Sequence, residues 1–115
     1  AVARLCHMHD LQPAHLIIIV DDINLELGRL RLRRSGSDGG HKGLRSISER
    51  LDTRDYPRLR IGVGGPPSGM DARDWVLSPF AGEDREAADE AIARAAKAVE
   101  CVLREGIERA MNEYN

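Results

Sequence analysis

Hydrophobic and polar positions repeat along the chain with periods that change from segment to segment, which predicts alternating helices and strands. Residues 1–9 place apolar side chains at helical spacing and predict a short amphipathic helix that ends before Pro13. Residues 16–20 are apolar at every position, a pattern typical of a strand buried on both faces. Residues 29–33 alternate arginine with leucine and predict a strand with one cationic and one apolar face.

The second half of the chain predicts one more strand and three helices. A helix is expected over residues 42–51, a strand over 59–63 and a short helix over 71–77. Residues 83–111 predict one long amphipathic helix, whose acidic first turn suits the positive end of the helix dipole. Its predicted buried stripe consists of Ile92, Ala95, Ala96, Val99, Val102, Leu103, Ile107 and Ala110.

These elements predict an α/β fold with a mixed sheet flanked by helices, in a single domain over residues 1–115. A strand that is apolar on both faces needs covering helices and usually a neighbour on each side, yet only three strands are available. We therefore expect the sheet to be incomplete without a further N-terminal segment, and the start at Ala1 rather than at a methionine fits this expectation. An open sheet edge also invites self-association.

Composition excludes several classes of protein. The longest apolar run is five residues, whereas roughly 20 are needed to span a bilayer, so no membrane segment is expected. With two cysteines and no secretory signal, the chain is expected in a reducing cytoplasm. Metal binding is not expected, because Cys6, His7 and His9 would point in different directions on a helix. No cofactor motif is present either.

The net charge of −2 conceals a segregation of charge along the chain. Residues 29–60 hold ten basic and four acidic residues, a net charge of +6, while the remainder holds seven basic and 15 acidic residues, a net charge of −8. Such a basic segment suits phosphate or nucleic acid, and an ordinary solvated surface is the alternative. Because aromatic residues make up only 3% of the chain, recognition of the phosphate backbone is favoured over base stacking.

Two features in this region offer candidate chemistry. Asp21 follows the first apolar strand, at the end where open α/β sheets place their ligand crevices, and could orient a histidine, bind a cation or cap a turn. Residues 36–43 form a glycine-rich loop before a helix, where free amides attract anions, although its spacing matches neither a P-loop nor a dinucleotide fingerprint. Arginines flank this loop in the sequence and fit phosphate oxygens: Arg31, Arg33, Arg34, Arg58 and Arg60.

Four sequence blocks, in a fixed order, are specific enough to identify a family. They read VDDINLELGRLRLR over residues 20–33, GSDGGHKGLRSI over 36–47, YPRLRIGVG over 56–64 and WVLSPF over 75–80. In this order the blocks resemble bacterial-type peptidyl-tRNA hydrolase. The resemblance covers essentially the whole chain, but only about the C-terminal three-fifths of a typical family member.

The resemblance implies hydrolysis of the ester that joins a peptide to the 3′ ribose of tRNA, in the cytoplasm, by a monomer without cofactor. Asp21 matches the aspartate that orients and polarises the catalytic histidine of the family. His41 matches a loop histidine near the substrate crevice, in a substrate-binding loop that includes Gly39 and Gly40. Lys42 stands where many members have an asparagine that binds the peptide or the attacking water, and an ammonium group cannot accept a hydrogen bond.

The resemblance also implies a tRNA-binding surface. Arg31 and Arg33 match basic positions that hold tRNA phosphates, and we expect Arg34 and Arg60 to join them. Peptidyl-tRNA is accordingly the expected partner.

The family's catalytic histidine, first strand and substrate-binding asparagines precede the segment that begins at Ala1. His7, His9 and His15 match a later helix and strand of the family and do not replace that histidine. We therefore expect this chain alone to lack the general base and to be inactive or nearly so. The alternative is a non-catalytic tRNA- or RNA-binding relative, which Lys42 favours.

Overall fold

The computed structural model describes residues 1–115 and contains a three-stranded mixed sheet and five α-helices. The prediction of an α/β fold with a mixed sheet flanked by helices is confirmed. In chain order the elements are α1 (Val2–Met8), β1 (Ile18–Asp22), β2 (Leu30–Arg33), α2 (Lys42–Leu51), β3 (Arg58–Gly62), α3 (Ala72–Leu77), α4 (Glu83–Glu105) and α5 (Ile107–Tyr114).

Strand β3 lies in the middle of the sheet, with β1 parallel on one side and β2 antiparallel on the other. In this register Leu59 lies opposite Leu32 of β2, and Arg60 lies opposite Arg31. Because successive side chains of a strand point to opposite faces, one face of β2 and β3 carries leucine and isoleucine and the other carries arginine. The predicted two-faced strand over residues 29–33 is thus present as β2.

The apolar face of β2 and β3 forms the core together with helices α4 and α5. Leu59 is fully buried, with 0% of its surface exposed, and its apolar neighbours on β2 are buried with it. The helices meet these side chains through alanines, whose small size brings the helix backbones close to the sheet. The buried residues of this cluster are Leu30, Leu32, Leu59, Ala95, Ala98 and Ala110.

The prediction of one helix over residues 83–111 is wrong, because the helix is interrupted at Gly106. This glycine has φ +91°, a conformation that side-chain-bearing residues rarely adopt, and it separates α4 from α5. The turn allows α5 to fold back against β2. Although α4 has 23 residues, neither it nor any other helix is long and apolar enough to cross a membrane.

Three members of the predicted buried stripe lie on the surface of α4, and the exposed Ala96 is one of them. Ile92 is 60% exposed and Leu103 is 77% exposed, because the helix turns its alanine face to the sheet instead. The buried positions of α4 recur every three or four residues, as expected for a helix packed along one side. They are Ala88, Ala91, Ala95 and Ala98.

Strand β1 is not buried on both faces, contrary to the prediction. It is an edge strand, and Ile19 is 52% exposed. A cleft of about 320 Å³ lies against Ile19, where a helix would have to pack to bury it, and α4 residues such as Ile92 line the cleft as well. The carboxyl end of β1 is consequently accessible from this side.

The outer edge of β2 is closed by a side chain. The Leu32 N–H donates to Asn115 Oδ1 at 2.6 Å, and Asn115 Nδ2 donates to the Leu32 carbonyl at 2.9 Å. The amide of Asn115 thereby imitates a residue of a neighbouring strand. This pairing satisfies backbone groups of the edge that would otherwise need water or another chain.

We expect Leu59→Ala to lower the free energy of unfolding by about 2–5 kcal/mol, because the substitution leaves a cavity between the sheet and the alanines of α4. Leu103→Ala makes the same chemical change at an exposed site and should alter the free energy by less than about 0.5 kcal/mol. Urea unfolding followed by circular dichroism measures both values. Equal losses in the two variants would contradict the placement of the core.

Candidate functional site

The two carboxylates at the end of β1 have different surroundings, because adjacent residues of a strand point to opposite faces. Asp22 is buried, and its Oδ2 accepts a hydrogen bond from Arg60 Nη1 at 3.1 Å while its Oδ1 accepts one from the Asn24 N–H at 2.8 Å. Asp21 is about half exposed and lies on the lining of the cleft beside β1. Asp21 is therefore the carboxylate available to a ligand.

The glycine-rich loop makes a tight turn before α2. Asp38 holds this turn, because its Oδ1 accepts from the Gly40 N–H at 2.8 Å and its carbonyl accepts from the His41 N–H at 2.9 Å. Gly39 and Gly40 have φ values of +57° and +84°, which favour glycine. The turn places His41 at the N-terminal cap of α2.

His41 connects this loop to β1. The Leu44 N–H donates to His41 Nδ1 at 3.2 Å, so Nδ1 carries no proton and the neutral ring has its proton on Nε2. Nε2 lies 3.5 Å from Asp21 Oδ1, a long contact between side chains 20 residues apart in the sequence. The structure thus brings Asp21 and His41 together, and it engages both nitrogens of the imidazole.

Lys42 is the first residue of α2, next to His41. Its side chain is exposed and makes no salt bridge with any residue of the chain. A cation at the N-terminal end of a helix opposes the helix dipole, so the position does not stabilise α2 electrostatically. Its ammonium group is available to an anionic ligand at the edge of the site.

The three arginines at the end of β2 face the solvent to different degrees. Arg31 is half-buried and makes no hydrogen bond through its guanidinium, while Arg33 donates only to the Leu32 carbonyl, at 3.2 Å. Arg34 forms an exposed salt bridge with Glu108 at 2.8 Å. Exposed pairs of this kind contribute little stability and exchange easily for another anion.

The arginines of β3 use their donors inside the protein. Besides its bond to Asp22, Arg60 donates from Nη2 to the Ser37 carbonyl at 3.0 Å. Arg58 is only 1% exposed, and burial lowers the pKa of its guanidinium; Tyr56 beside it raises that pKa, and the neighbouring Arg60 lowers it. The five arginines flanking the loop therefore divide into a solvent-facing set on and after β2 and an internal pair on β3.

One cluster of potential ligands was not predicted from the sequence. The Sγ atom of Cys101 and carboxylate oxygens of Glu105 and Glu113 lie within 4.8 Å of one another, on α4 and α5. Desolvation and the two carboxylates raise the pKa of the Cys101 thiol. The spacing of Cys101 and Glu105 signals one helix face, but only the break at Gly106 brings Glu113 to them. Arg109 forms a salt bridge with Glu105 at 3.1 Å.

Comparison with known proteins places these features in one family. A family model described as peptidyl-tRNA hydrolase matches residues 1–115. A peptidyl-tRNA hydrolase of Symbiobacterium thermophilum is 49% identical over 115 residues, which are 100% of this chain and 61% of the relative. One of Chloroflexus aggregans is 50% identical over 116 residues, 100% of this chain and 62% of the relative.

A solved structure agrees with the sequence relatives. The crystal structure of peptidyl-tRNA hydrolase from Acinetobacter baumannii matches with a TM-score of 0.89 at 30% identity, and covers 99% of this chain and 58% of that one. The chain thus spans about three-fifths of the length of the relatives it matches.

We expect Gly39→Ala to destabilise the protein more than Gly40→Ala does. Both glycines have positive φ, but a Cβ at Gly39 would lie 2.7 Å from Arg60 Nη1, whereas one at Gly40 meets no atom within 4 Å. The guanidinium of Arg60 cannot move away without losing Asp22 or Ser37. Chemical unfolding should show a loss of about 1 kcal/mol for Gly40→Ala and a clearly larger one for Gly39→Ala; the reverse order would contradict the contact.

Proposed function

Because the chain belongs to the peptidyl-tRNA hydrolase family, we propose that it serves the hydrolysis of the ester between a peptide and the 3′ ribose of tRNA, in the cytoplasm. Asp21 and the loop that holds His41 are its contribution to the site. The contact between these two side chains, at the accessible end of β1, is the observation that carries this proposal. It joins the two positions that match the family's carboxylate and loop histidine.

Asp21 has the properties needed to act on a histidine. A carboxylate that accepts from one ring nitrogen fixes the tautomer and raises the basicity of the other nitrogen, which can then take a proton from water. His41 does not fill that role, because its Nδ1 accepts from the Leu44 N–H and has no free lone pair. We therefore assign His41 to the substrate-binding loop, with Gly39 and Gly40.

The other histidines of the chain do not replace the general base. His7, His9 and His15 lie in α1, just after it and in the 3₁₀ turn Pro13–His15, and none of them bonds to Asp21. The base that Asp21 orients is accordingly proposed to be absent from this chain. Removal of a general base typically lowers a rate by a factor of 10² to 10⁴.

The tRNA is proposed to bind along the outer arginines. Arg31 and Arg33 share a face of β2 with uncommitted guanidinium groups, and the pair of Arg34 with Glu108 is exposed. Lys42 adds a free ammonium beside the loop. Guanidinium groups bind phosphate oxygens bidentately, so this surface suits the tRNA backbone. We propose that Arg60 acts mainly by supporting the loop, since both of its Nη atoms are bonded inside the protein.

A non-catalytic RNA-binding protein is the second candidate. Lys42 favours it, because an ammonium group cannot accept a hydrogen bond as the asparagine common at this position in the family does. The two candidates share the tRNA-binding surface and differ only in hydrolysis.

Release of peptide from a peptidyl-tRNA distinguishes them. We expect kcat/KM of the 115-residue chain to be at least about 10²-fold below that of the full-length Symbiobacterium thermophilum relative, because the general base is missing. Residual hydrolysis that falls further with Asp21→Asn supports the hydrolase, and residual hydrolysis that Asp21→Asn leaves unchanged, beside intact tRNA binding, supports the second candidate. Turnover equal to that of the full-length relative would contradict both.

Salt dependence tests the tRNA-binding surface. We expect the double substitution Arg31→Ala/Arg33→Ala to weaken tRNA binding and to reduce the slope of log Kobs against log salt by roughly 2, one for each lost phosphate contact. Arg85→Ala/Arg104→Ala is the matched control, since it removes the same charge from α4, away from the loop. Fluorescence anisotropy measures both, and equal effects of the two double variants would indicate nonspecific attraction by net charge.

A further inference from the structure

Arg58 is a buried cation with no carboxylate within salt-bridge distance. It is 1% exposed, one of the largest fully buried side chains, and it forms no salt bridge. Withdrawing an ion from water costs several kcal/mol unless hydrogen bonds replace its hydration. A side chain that served only to fill space here would be apolar, so the contacts of the guanidinium need an explanation.

The guanidinium is bound by three backbone carbonyls and one aromatic ring. Nε donates to the Tyr56 carbonyl at 3.2 Å, Nη1 to that of Ser37 at 3.1 Å and Nη2 to that of Arg54 at 2.7 Å. The Arg58 Cζ atom also lies 4.3 Å from the centroid of the Tyr56 ring. Because Ser37 precedes α2 and Arg54 follows it, one side chain ties together the loops at both ends of this helix.

The carbonyl of Ser37 accepts from a second guanidinium as well. Arg60 donates to it from Nη2 at 3.0 Å and to Asp22 from Nη1 at 3.1 Å. The two arginines of β3 therefore bind the loop from the side of the sheet, and Arg60 connects it to the end of β1. The Gly36 N–H adds a long bond to the Arg54 carbonyl, at 3.4 Å.

From Ser37 the chain reaches His41 through a turn that has little freedom. Asp38 fixes Gly40 and His41 by two hydrogen bonds, and His41 then caps α2 through Leu44. Displacement of the Ser37 carbonyl would therefore be transmitted to the imidazole and to its 3.5 Å contact with Asp21.

We infer that Arg58 is a positioning residue, which holds the loop at residues 36–41 in the place where His41 meets Asp21. The inference rests on the proposed function only in that the contact of His41 with Asp21 serves hydrolysis. The hydrogen bonds by which Arg58 holds the loop do not depend on it. Arg58 touches no reacting group. It acts through Ser37, and its buried charge is used to bind carbonyls that no apolar side chain could hold.

Lysine cannot perform this role. A guanidinium presents five N–H donors in a rigid planar fork, whereas an ammonium presents three donors on one nitrogen. A single nitrogen cannot reach carbonyls that lie on three sides of the Arg58 fork. Arg58→Lys keeps the charge and most of the volume and is therefore the informative substitution.

The test is the ¹⁵N NMR spectrum of the His41 imidazole ring, recorded on protein labelled with ¹⁵N at its histidines. We expect Arg58→Lys, examined at a temperature where its amide spectrum shows a folded protein, to replace the Nε2-protonated pattern of His41 with tautomer-averaged shifts like those of the exposed His7. A folded Arg58→Lys variant with the unsubstituted pattern would overturn the inference.

Tyr56→Phe is the matched control for loss of stability. From the same buried cluster it removes the hydrogen bond between the Tyr56 hydroxyl and Ser48 Oγ, at 2.7 Å, and the bond that the hydroxyl donates to the Leu44 carbonyl, at 3.2 Å. It leaves the carbonyl partners of Arg58 in place. We expect it to lower the unfolding midpoint while the His41 spectrum stays unchanged, and a changed spectrum would show that the readout follows stability instead of position.

A measurement on the unsubstituted chain decides the matter if Arg58→Lys does not fold. If Arg58 holds the loop, its Nη1–H, which donates to the Ser37 carbonyl, and the amides of Gly36 and His41 should exchange with solvent through one opening, with similar protection. Protection of the Arg58 Nη1–H that exceeds that of both amides more than about tenfold would overturn the inference. Failure of tRNA binding or hydrolysis in every variant would contradict the proposed function alone, because neither readout here uses tRNA.

Discussion

The alternation of side chains along β3 is the constraint on which the rest of the structure depends. Leu59 joins the core beneath α4 and α5, while Arg58 and Arg60, on either side of it, bind the loop before α2 on the opposite face. A slip of one residue in register would exchange the two faces and bury both guanidinium groups against alanines. The register that builds the core therefore also sets the position of the candidate site.

This arrangement places like charges close together and compensates for them in different ways. Arg60 lies opposite Arg31 across the strands, a pairing that is unfavourable by itself. The carboxylate of Asp22 neutralises Arg60, and carbonyls surround Arg58. The guanidinium groups of the β2 arginines have no acidic partner. One face of the sheet thus carries two kinds of cation, an inner pair that supports the loop and an outer set proposed to meet phosphate.

Much of the fold follows from local sequence, because the periods of β2, α2 and β3 can be read from residues a few positions apart. The sequence predicts the burial of β1 and of one stripe of α4 wrongly, because burial depends on which elements pack against them. Ile19 of β1, for example, is exposed. Asp21 is a candidate from its place at the carboxyl end of β1, and the family resemblance assigns its role and that of His41. Their contact, and the division of the arginines, rest on hydrogen bonds between distant residues such as Arg58 and Ser37, which no periodicity encodes.

The central claim is that β3 holds the glycine-rich loop so that His41 donates toward Asp21 while it caps α2. Two-bond ¹H–¹⁵N correlations of the His41 ring in the unsubstituted chain, near neutral pH, test it most directly. A proton on Nε2 and a bare, hydrogen-bond-accepting Nδ1 are the predicted result. A proton on Nδ1, or shifts averaged as in the exposed His9, would contradict the claim.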